Sequence, residues 1–406
     1  MTLANALDAA TLNVVLLFCL IGTPMILGPV IACIRMYRKL RAQAAQHSPE
    51  LFFGTSTTAS RVLLGCAATT GLIAVATAGL IAPLLTGGPQ EKPGFSRVAA
   101  TTTPASINFC EEDFVHSSLI AEPANVASAL LSYPPLALIG LCTTVAAGRP
   151  QPWRFAVANS AILAIGLGSG ALHGLLTATA QGGDELPMLW YVAAGAFCAI
   201  DVILHATRSR AAGRPWVALL VLAAMAAATV VYVARREDFT VFFVCFASLG
   251  LLIICCFVWI NVGVDWHKLL GERGRAAQAG VLLPISIAIG CCTVLAIWTW
   301  MAEMLLCDFV AAGGGVGVGV GDGDGVGVGD GAGGRLARLV WNRCIHPLWH
   351  CATALVAYLV VQVLVAAHGL LHMPPTHVPA VAWRVVPCVQ FVSNREASVK
   401  VKLKER

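Results

Sequence analysis

The chain has 406 residues, 58% of them hydrophobic and only 12% charged, with a mean hydropathy of +0.78. A soluble domain carries about 25% charged residues, so this composition excludes an ordinary globular protein and specifies a polytopic, all-α membrane protein. The net charge of +5 is no nucleic-acid footprint, because the basic residues fall in short clusters between apolar runs, where membrane topology accounts for them.

Runs of about 20 apolar residues are each long enough to cross a hydrocarbon core. Nine are expected: Leu12–Ile34, Val62–Leu85, Ala127–Ala147, Phe155–Leu176, Leu186–His205, Trp216–Val233, Phe239–Val262, Val281–Cys307 and Cys344–His368. No positive charge precedes Leu12 and Asp8 is acidic, so the first span reads as retained rather than as a cleaved signal. Arg35, Arg38, Lys39 and Arg41 follow the first span, Arg149 and Arg154 the third, and Arg208, Arg210 and Arg214 the fifth. Lys268, Arg273 and Arg275 follow the seventh, and Lys400, Lys402, Lys404 and Arg406 close the chain. This alternation predicts a lumenal N-terminus and a cytosolic C-terminus, although Arg235, Arg236, Arg335, Arg338 and Arg343 run against it.

Residues 1–107 thus read as an extension with two spans, 108–372 as a seven-span core, and 373–406 as a cytosolic tail. Within the core, residues 313–334 (GGGVGVGVGDGDGVGVGDGAGG) bury nothing and read as a flexible lumenal loop whose Asp residues offer weak Ca²⁺ ligands at most. The 15 cysteines include no CxxC pair, which argues against a zinc ribbon or a thioredoxin-type site, and most read as small apolar packers.

Ionisable groups are costly in hydrocarbon, so those within or beside spans mark candidate sites. His173, His346 and His350 lie in the fourth and ninth spans, and under this threading all three fall near the lumenal side. Two acidic features fall there too: the run Asn108-Phe109-Cys110-Glu111-Glu112-Asp113 with Glu122, and Asp184. Three imidazoles are enough to hold a catalytic Zn²⁺ with one position open. His346 and His350 are i,i+4 and share a helix face, as do Ser169 and His173. Gly182-Gly183 is expected to break the helix and let Asp184 turn back toward the histidines. The plainer reading of the set is interhelical hydrogen bonding. Two further i,i+4 pairs, Asp201/His205 and His368/His372, fall near the cytosolic face and read as headgroup-level polar residues. His346 and His368 are separated by about 33 Å of helix, so the two sets cannot share one site.

Four segments, in order, resemble the alkaline ceramidase family. NFCEEDFVHSSLIAEPAN (Asn108–Asn125) resembles its acidic block, D-W-C-E-x-N-[YF] followed by I-A-E-F-x-N-T. SGALHGLLTATAQGGDELPMLW (Ser169–Trp190) resembles its S-x-x-x-H and D-E-L-P-M-x-[WY]. WTWMAEMLLCDF (Trp298–Phe309) resembles its W-x-x-D-x-x-F-C, with Glu303 in the acidic place. IHPLWHCATALVAY (Ile345–Tyr358) resembles its H-x-x-W-H. The resemblance covers Asn108 to His372; the first two spans and the glycine tract have no counterpart in it.

The resemblance implies a seven-helix core with an intramembrane Zn²⁺ site at His173, His346 and His350, and Ser169 and Asp184 as catalytic partners. It implies Ca²⁺ held by Asn108, the Phe109 carbonyl, Glu111, Asp113 and Glu122, and a lumenal disulfide between Cys110 and Cys307. Asn108 stands where the family has Asp and Asp113 where it has Asn, which conserves charge and keeps oxygen ligands. Phe109 replaces Trp, an exchange expected to be harmless if only the carbonyl binds. Pro123, Ala124 and Val126 depart from the pattern near the substrate groove. The implied activity is hydrolysis of the ceramide amide bond to sphingoid base and fatty acid, on a lipid substrate within the membrane. Other readings are a related zinc hydrolase acting on a phospholipid or a GPI-anchor acyl chain, and a non-catalytic lipid-binding receptor. A transporter lacks support, since no internal repeat or broken helix pair is visible. The final KLKER (Lys402–Arg406) resembles a K-x-K-x-x retrieval signal, which implies the endoplasmic reticulum with cycling through the Golgi.

Overall fold

The computed structural model describes residues 103–107, 109–114, 117–146, 152–236, 238–311, 332–383 and 386–393, with four positions in 31–38. The two N-terminal spans therefore lie outside the described residues, save that Ile34 packs against Ala279, Leu283 and Ile287. The helices are α1 (Pro123–Ala146), α2 (Pro152–Leu175), α3 (Ala178–Ala206), α4 (Pro215–Ala234) and α5 (Phe239–Val258). Two short helices, α6 (Trp266–Leu270) and α7 (Glu272–Ala277), lead to α8 (Leu283–Ala311), and α9 (Ala332–His372) follows. Seven helical stretches among the described residues are long and apolar enough to cross a membrane. Leu138, Leu167, Leu219, Leu220, Val230 and Trp298 point outward in the open, as a lipid-facing surface requires.

α1, α2 and α3 pack in chain order, α9 closes against α8 and α1, and α5 lies on α3. α9 is the central helix: Cys351, Leu355, Tyr358, Leu359 and Val363 are fully enclosed. α1 begins at Pro123, whose fixed φ suits the first helical position. Outside the helix, the Glu111 carboxylate accepts the Ala124 and Asn125 amides at 2.8 and 2.9 Å, capping donors that have no partner within the helix.

Gly182-Gly183 do not break the helix. They lie inside α3, and the break comes earlier, where Leu176 turns to φ +49° and Thr177 caps α3 by accepting the Ala180 amide. Leu176 holds that conformation because its side chain is buried with Phe114 and Ala121. Close approach is made by Gly168 of α2, where a Cβ would overlap the Gly183 carbonyl of α3. The helices meet at their backbones beside Ser169 and Asp184.

α5 ends in a π-helical turn, Trp259–Gly263, and a second one, Gln278–Leu282, precedes α8. The wide turns are tied together, as the Gln278 amide donates to the Asn261 carbonyl at 2.7 Å and Asn261 Nδ2 to Ser286 Oγ at 3.0 Å. Part of the segment read as a tail is structured. β1 (His377–Trp383) and β2 (Pro387–Ser393) pair antiparallel, from His377↔Ser393 to Trp383↔Pro387. The hairpin lies along α9, where the Val389 amide donates to Gln362 Oε1 at 2.9 Å, the Tyr358 hydroxyl to the Pro387 carbonyl at 3.0 Å, and Phe391 covers Gly369. Residues 394–406, with the basic end of the chain, lie outside the described residues.

Candidate metal centre

Four helices and one loop bring the candidate residues to one end of the bundle. α2 carries Ser169 and His173 on one face, α9 carries His346 and His350, α3 presents Asp184, and α8 presents Glu303. All six are buried. Among the described residues, His173, His346 and His350 are the one group of three or more His, Cys, Asp or Glu whose donor atoms all lie within 4.8 Å. His173 Nε2 and His346 Nε2 are 3.1 Å apart.

Each imidazole is held through its other nitrogen. His173 Nδ1 meets Glu122 Oε2 at 2.5 Å, His346 Nδ1 meets Glu303 Oε2 at 2.5 Å, and His350 Nδ1 meets Ser128 Oγ at 2.7 Å. Where Glu122 and Glu303 are ionised they accept, and Nδ1 of His173 and His346 carries the proton. Ser128 donates its own proton to the Asn125 carbonyl at 2.9 Å, so its oxygen accepts from His350. All three Nε2 atoms are then bare lone pairs turned toward one point. Such an arrangement is repulsive without a cation and is that of metal-bound histidines with an outer layer of acceptors. The chain therefore holds a buried three-histidine site able to take a metal ion.

Ser169 Oγ lies 3.2 Å from His350 Nε2, and the Asp184 carboxyl lies beside Ser169. A hydroxyl and a carboxylate thus flank the metal position. The Phe109 ring lies over the histidines, 4.1 Å from His346 and 4.7 Å from His173 between centroids. The ring also lines the cavity, so the side chain at this position, and not only its carbonyl, borders the site.

The acidic block divides by task. Glu122 stands behind His173, accepts the Phe109 amide, and receives Asn125 Nδ2 at 3.2 Å. Burial, with Asp113 and Glu303 nearby, raises its pKa well above the ordinary carboxylate range, and a cation beyond His173 would favour the ionised form. Glu111 caps α1, and Asp113 is half-buried close to Glu122. Asn108 lies outside the described residues. Cys110 is disulfide-bonded, and its amide donates to Glu303 Oε1 at 3.2 Å, one helical turn before Cys307, whose side chain lies outside the described residues. Ser128 was not picked out from the sequence; its signal is the i,i+3 spacing from Asn125 within the matched block.

The second set gathers at the opposite end. The ring centroids of His205 and His372 are 4.7 Å apart and those of His368 and His372 4.2 Å, while Asp201 pairs with Arg154 at 2.5 Å. This cluster does not bring its donor atoms as close together as the first.

A cavity of about 590 Å³ runs from the metal position between α3, α5, α8 and α9. Asp184 and His346 line one end, and Met188, Phe242, Ile253 and Trp300 belong to its apolar wall. Its size is that of a pocket for a small molecule, and its walls suit hydrocarbon.

A buried triple-histidine centre able to take a metal ion, set in a bundle of seven apolar helices beside an apolar cavity, defines a multi-pass membrane protein with a candidate metal site. A family model described as ceramidase matches residues 101–321. The chain belongs to the ceramidase family. The match includes Ser169, His173, Asp184 and Glu303 and stops inside the glycine tract; His346 and His350 lie beyond it, and the geometry of α9 brings them to the site. No curated protein matches the chain at a significant level.

Proposed function

We propose that this protein hydrolyses the amide bond of ceramides, with zinc held by His173, His346 and His350. The observation that carries the reading is the convergence of three buried histidine ring nitrogens beside Ser169 and Asp184, on the wall of an apolar cavity. Tetrahedral zinc with bonds of about 2.0–2.1 Å sets its ligand nitrogens about 3.3 Å apart, and His173 and His346 lie at 3.1 Å. Zinc, when bound, would lower the pKa of water and polarise the amide carbonyl.

The chain's own groups do the rest. Asp184 takes the proton of the attacking water and delivers one to the sphingoid amine as the C–N bond breaks. The Ser169 hydroxyl donates to the oxyanion that forms on the amide carbon. Glu122, Glu303 and Ser128 orient the three imidazoles. The cavity takes a hydrocarbon chain and excludes bulk water. Ca²⁺ belongs to the same reading, at Glu111, Asp113 and Glu122 with Asn108 and the Phe109 carbonyl. Glu122 Oε1 is buried without a hydrogen-bond partner among the described residues, which leaves an oxygen for a hard cation. Cys110 and Cys307 form the disulfide, the site faces the lumen, and the protein resides in the endoplasmic reticulum and Golgi.

The test is a ceramide panel incubated with purified wild type, Asp184→Ala and His350→Ala, with bound zinc quantified in each. Wild type should release free sphingoid base; Asp184→Ala should keep zinc and release none; His350→Ala should lose zinc. One zinc per wild-type chain with no product from any ceramide would overturn the assignment.

A further inference from the structure

The mechanism leaves one buried acid of the cavity unused. Glu185 follows Asp184 on α3, is 3% exposed, and lines the cavity. No cationic side chain pairs with it among the described residues. A carboxyl group in an apolar chamber at membrane depth is costly, and such groups mark functional positions.

Its surroundings aim it. Gln181, one turn earlier, donates from Nε2 to Glu185 Oε1 at 2.9 Å. The Gln181 carbonyl oxygen is already taken by the Ser106 amide at 2.7 Å and the Ser106 hydroxyl at 3.1 Å, which fixes which end of the amide faces Glu185. The Tyr232 hydroxyl, from the last turns of α4, lies close to the same carboxyl, and Glu185 Oε2 is buried without a hydrogen-bond partner among the described residues. Three segments, the loop at 103–107, α3 and α4, thus hold one carboxyl group at the cavity wall. A packing role does not call for a carboxyl there, since an apolar side chain would fill the same space without desolvation cost.

We propose that Glu185 is the hydroxyl-recognition residue of the site: it accepts a hydrogen bond from a free hydroxyl of an N-acylated amino alcohol. The inference rests on the ceramidase reading and deepens it by naming the chemical feature of the substrate that is read. Asp184 and Glu185 line the same cavity, so a substrate that brings its amide to Asp184 enters the chamber whose wall carries Glu185. A ceramide carries a hydroxyl on each side of the carbon that bears that nitrogen, at C1 and at C3. Glu185 is a specificity residue, separate from the proton transfers of Asp184.

The experiment is a cycle of substrates against variants in the full chain. The substrates are ceramide, 1-deoxyceramide, which lacks the C1 hydroxyl, and 3-ketodihydroceramide, which lacks the C3 donor, with dihydroceramide as the parent of the last. Wild type should favour the parent by about 10- to 100-fold in kcat/KM over one of the two analogues, the range of a hydrogen bond to a charged acceptor, and that analogue names the hydroxyl. Glu185→Met should bring the ratio close to one by losing the parent, whereas Glu185→Gln, which keeps an acceptor, should retain most of it. Tyr232→Phe, which loosens the carboxyl without removing it, should lower the ratio in part and guards against a Glu185→Met protein that fails to fold. Equilibrium binding of the same lipids to Asp184→Ala, alone and combined with Glu185→Met, reads the subsite without turnover. Absence of hydrolysis by wild type would overturn the ceramidase reading, while binding discrimination that disappears with Glu185→Met would still support the subsite. A parent-to-analogue ratio unchanged by Glu185→Met in folded, metal-loaded protein would overturn the inference, as would a wild type indifferent to both hydroxyls.

Discussion

Gly168→Ala tests whether α2 and α3 meet as closely as the catalytic pair requires. The added methyl carbon would fall on the Gly183 carbonyl and the Asp184 amide nitrogen, inside any permitted contact. These are backbone atoms of a helix, with no rotamer to yield, so the two helices must part by about 1 Å. Overpacking of this kind costs about 1–3 kcal/mol, which in a helical core of this size lowers Tm by roughly 2–4 °C per kcal/mol. The larger effect falls on chemistry. Ser169 and Asp184 adjoin the two glycines and touch each other only across this contact. Misplacement by about 1 Å costs about 100-fold in kcat. Metal content should stay close to wild type, because α3 supplies none of the three histidines. Gly174→Ala is the control, since its methyl would meet only Val126 Cγ2 at 3.8 Å, an ordinary contact. Turnover, bound metal and thermal midpoint of the three proteins, measured side by side, decide the matter. A Gly168→Ala protein with wild-type kcat and Tm would refute the helix contact and the placement of Asp184 that depends on it.

Glu303→Gln replaces the acceptor behind His346 with an amide that can present its donor to Nδ1; metal affinity should fall about 10- to 100-fold in a chelator competition, and unchanged affinity would remove Glu303 from the outer layer. Gly369→Ala places a methyl against the Phe391 ring and should loosen the β-hairpin from α9; hydrogen exchange of residues 377–393 should rise while hydrolysis persists, and unaltered protection would mean that the hairpin is held elsewhere.

Much of the site is legible in the sequence because helical spacing carries it. His346 and His350, and Ser169 and His173, share faces by i,i+4 spacing alone, and cost in hydrocarbon singles them out. The acceptors behind the imidazoles are less legible. Glu303 is visible as an acid in a span, but its task depends on α8 lying against α9, a contact no local pattern encodes. Ser128 is weaker still, one hydroxyl among many small residues. Gly182-Gly183 misleads because a glycine pair need not end a helix, and the residue that lets α2 and α3 touch at their backbones is Gly168 on the facing helix, since a Cβ on Gly182 or Gly183 would meet only ordinary contacts. The hairpin at His377–Ser393 escapes because a run of about seven residues is too short for the span-length criterion that governs the rest of the chain, and its partner surface is α9.

Charge explains why the outer layer takes the form it does. A divalent cation among three neutral imidazoles brings two positive charges into a medium that solvates them poorly. Glu122 and Glu303, each hydrogen-bonded to one imidazole, supply two negative charges, and the third imidazole is backed by the neutral Ser128 hydroxyl. With both carboxyls ionised, the groups hydrogen-bonded to Nδ1 of the three histidines would balance the charge of one divalent ion. A third carboxylate in place of Ser128 would leave the centre one unit negative. The neutral partner sits behind His350, the imidazole that also contacts Ser169.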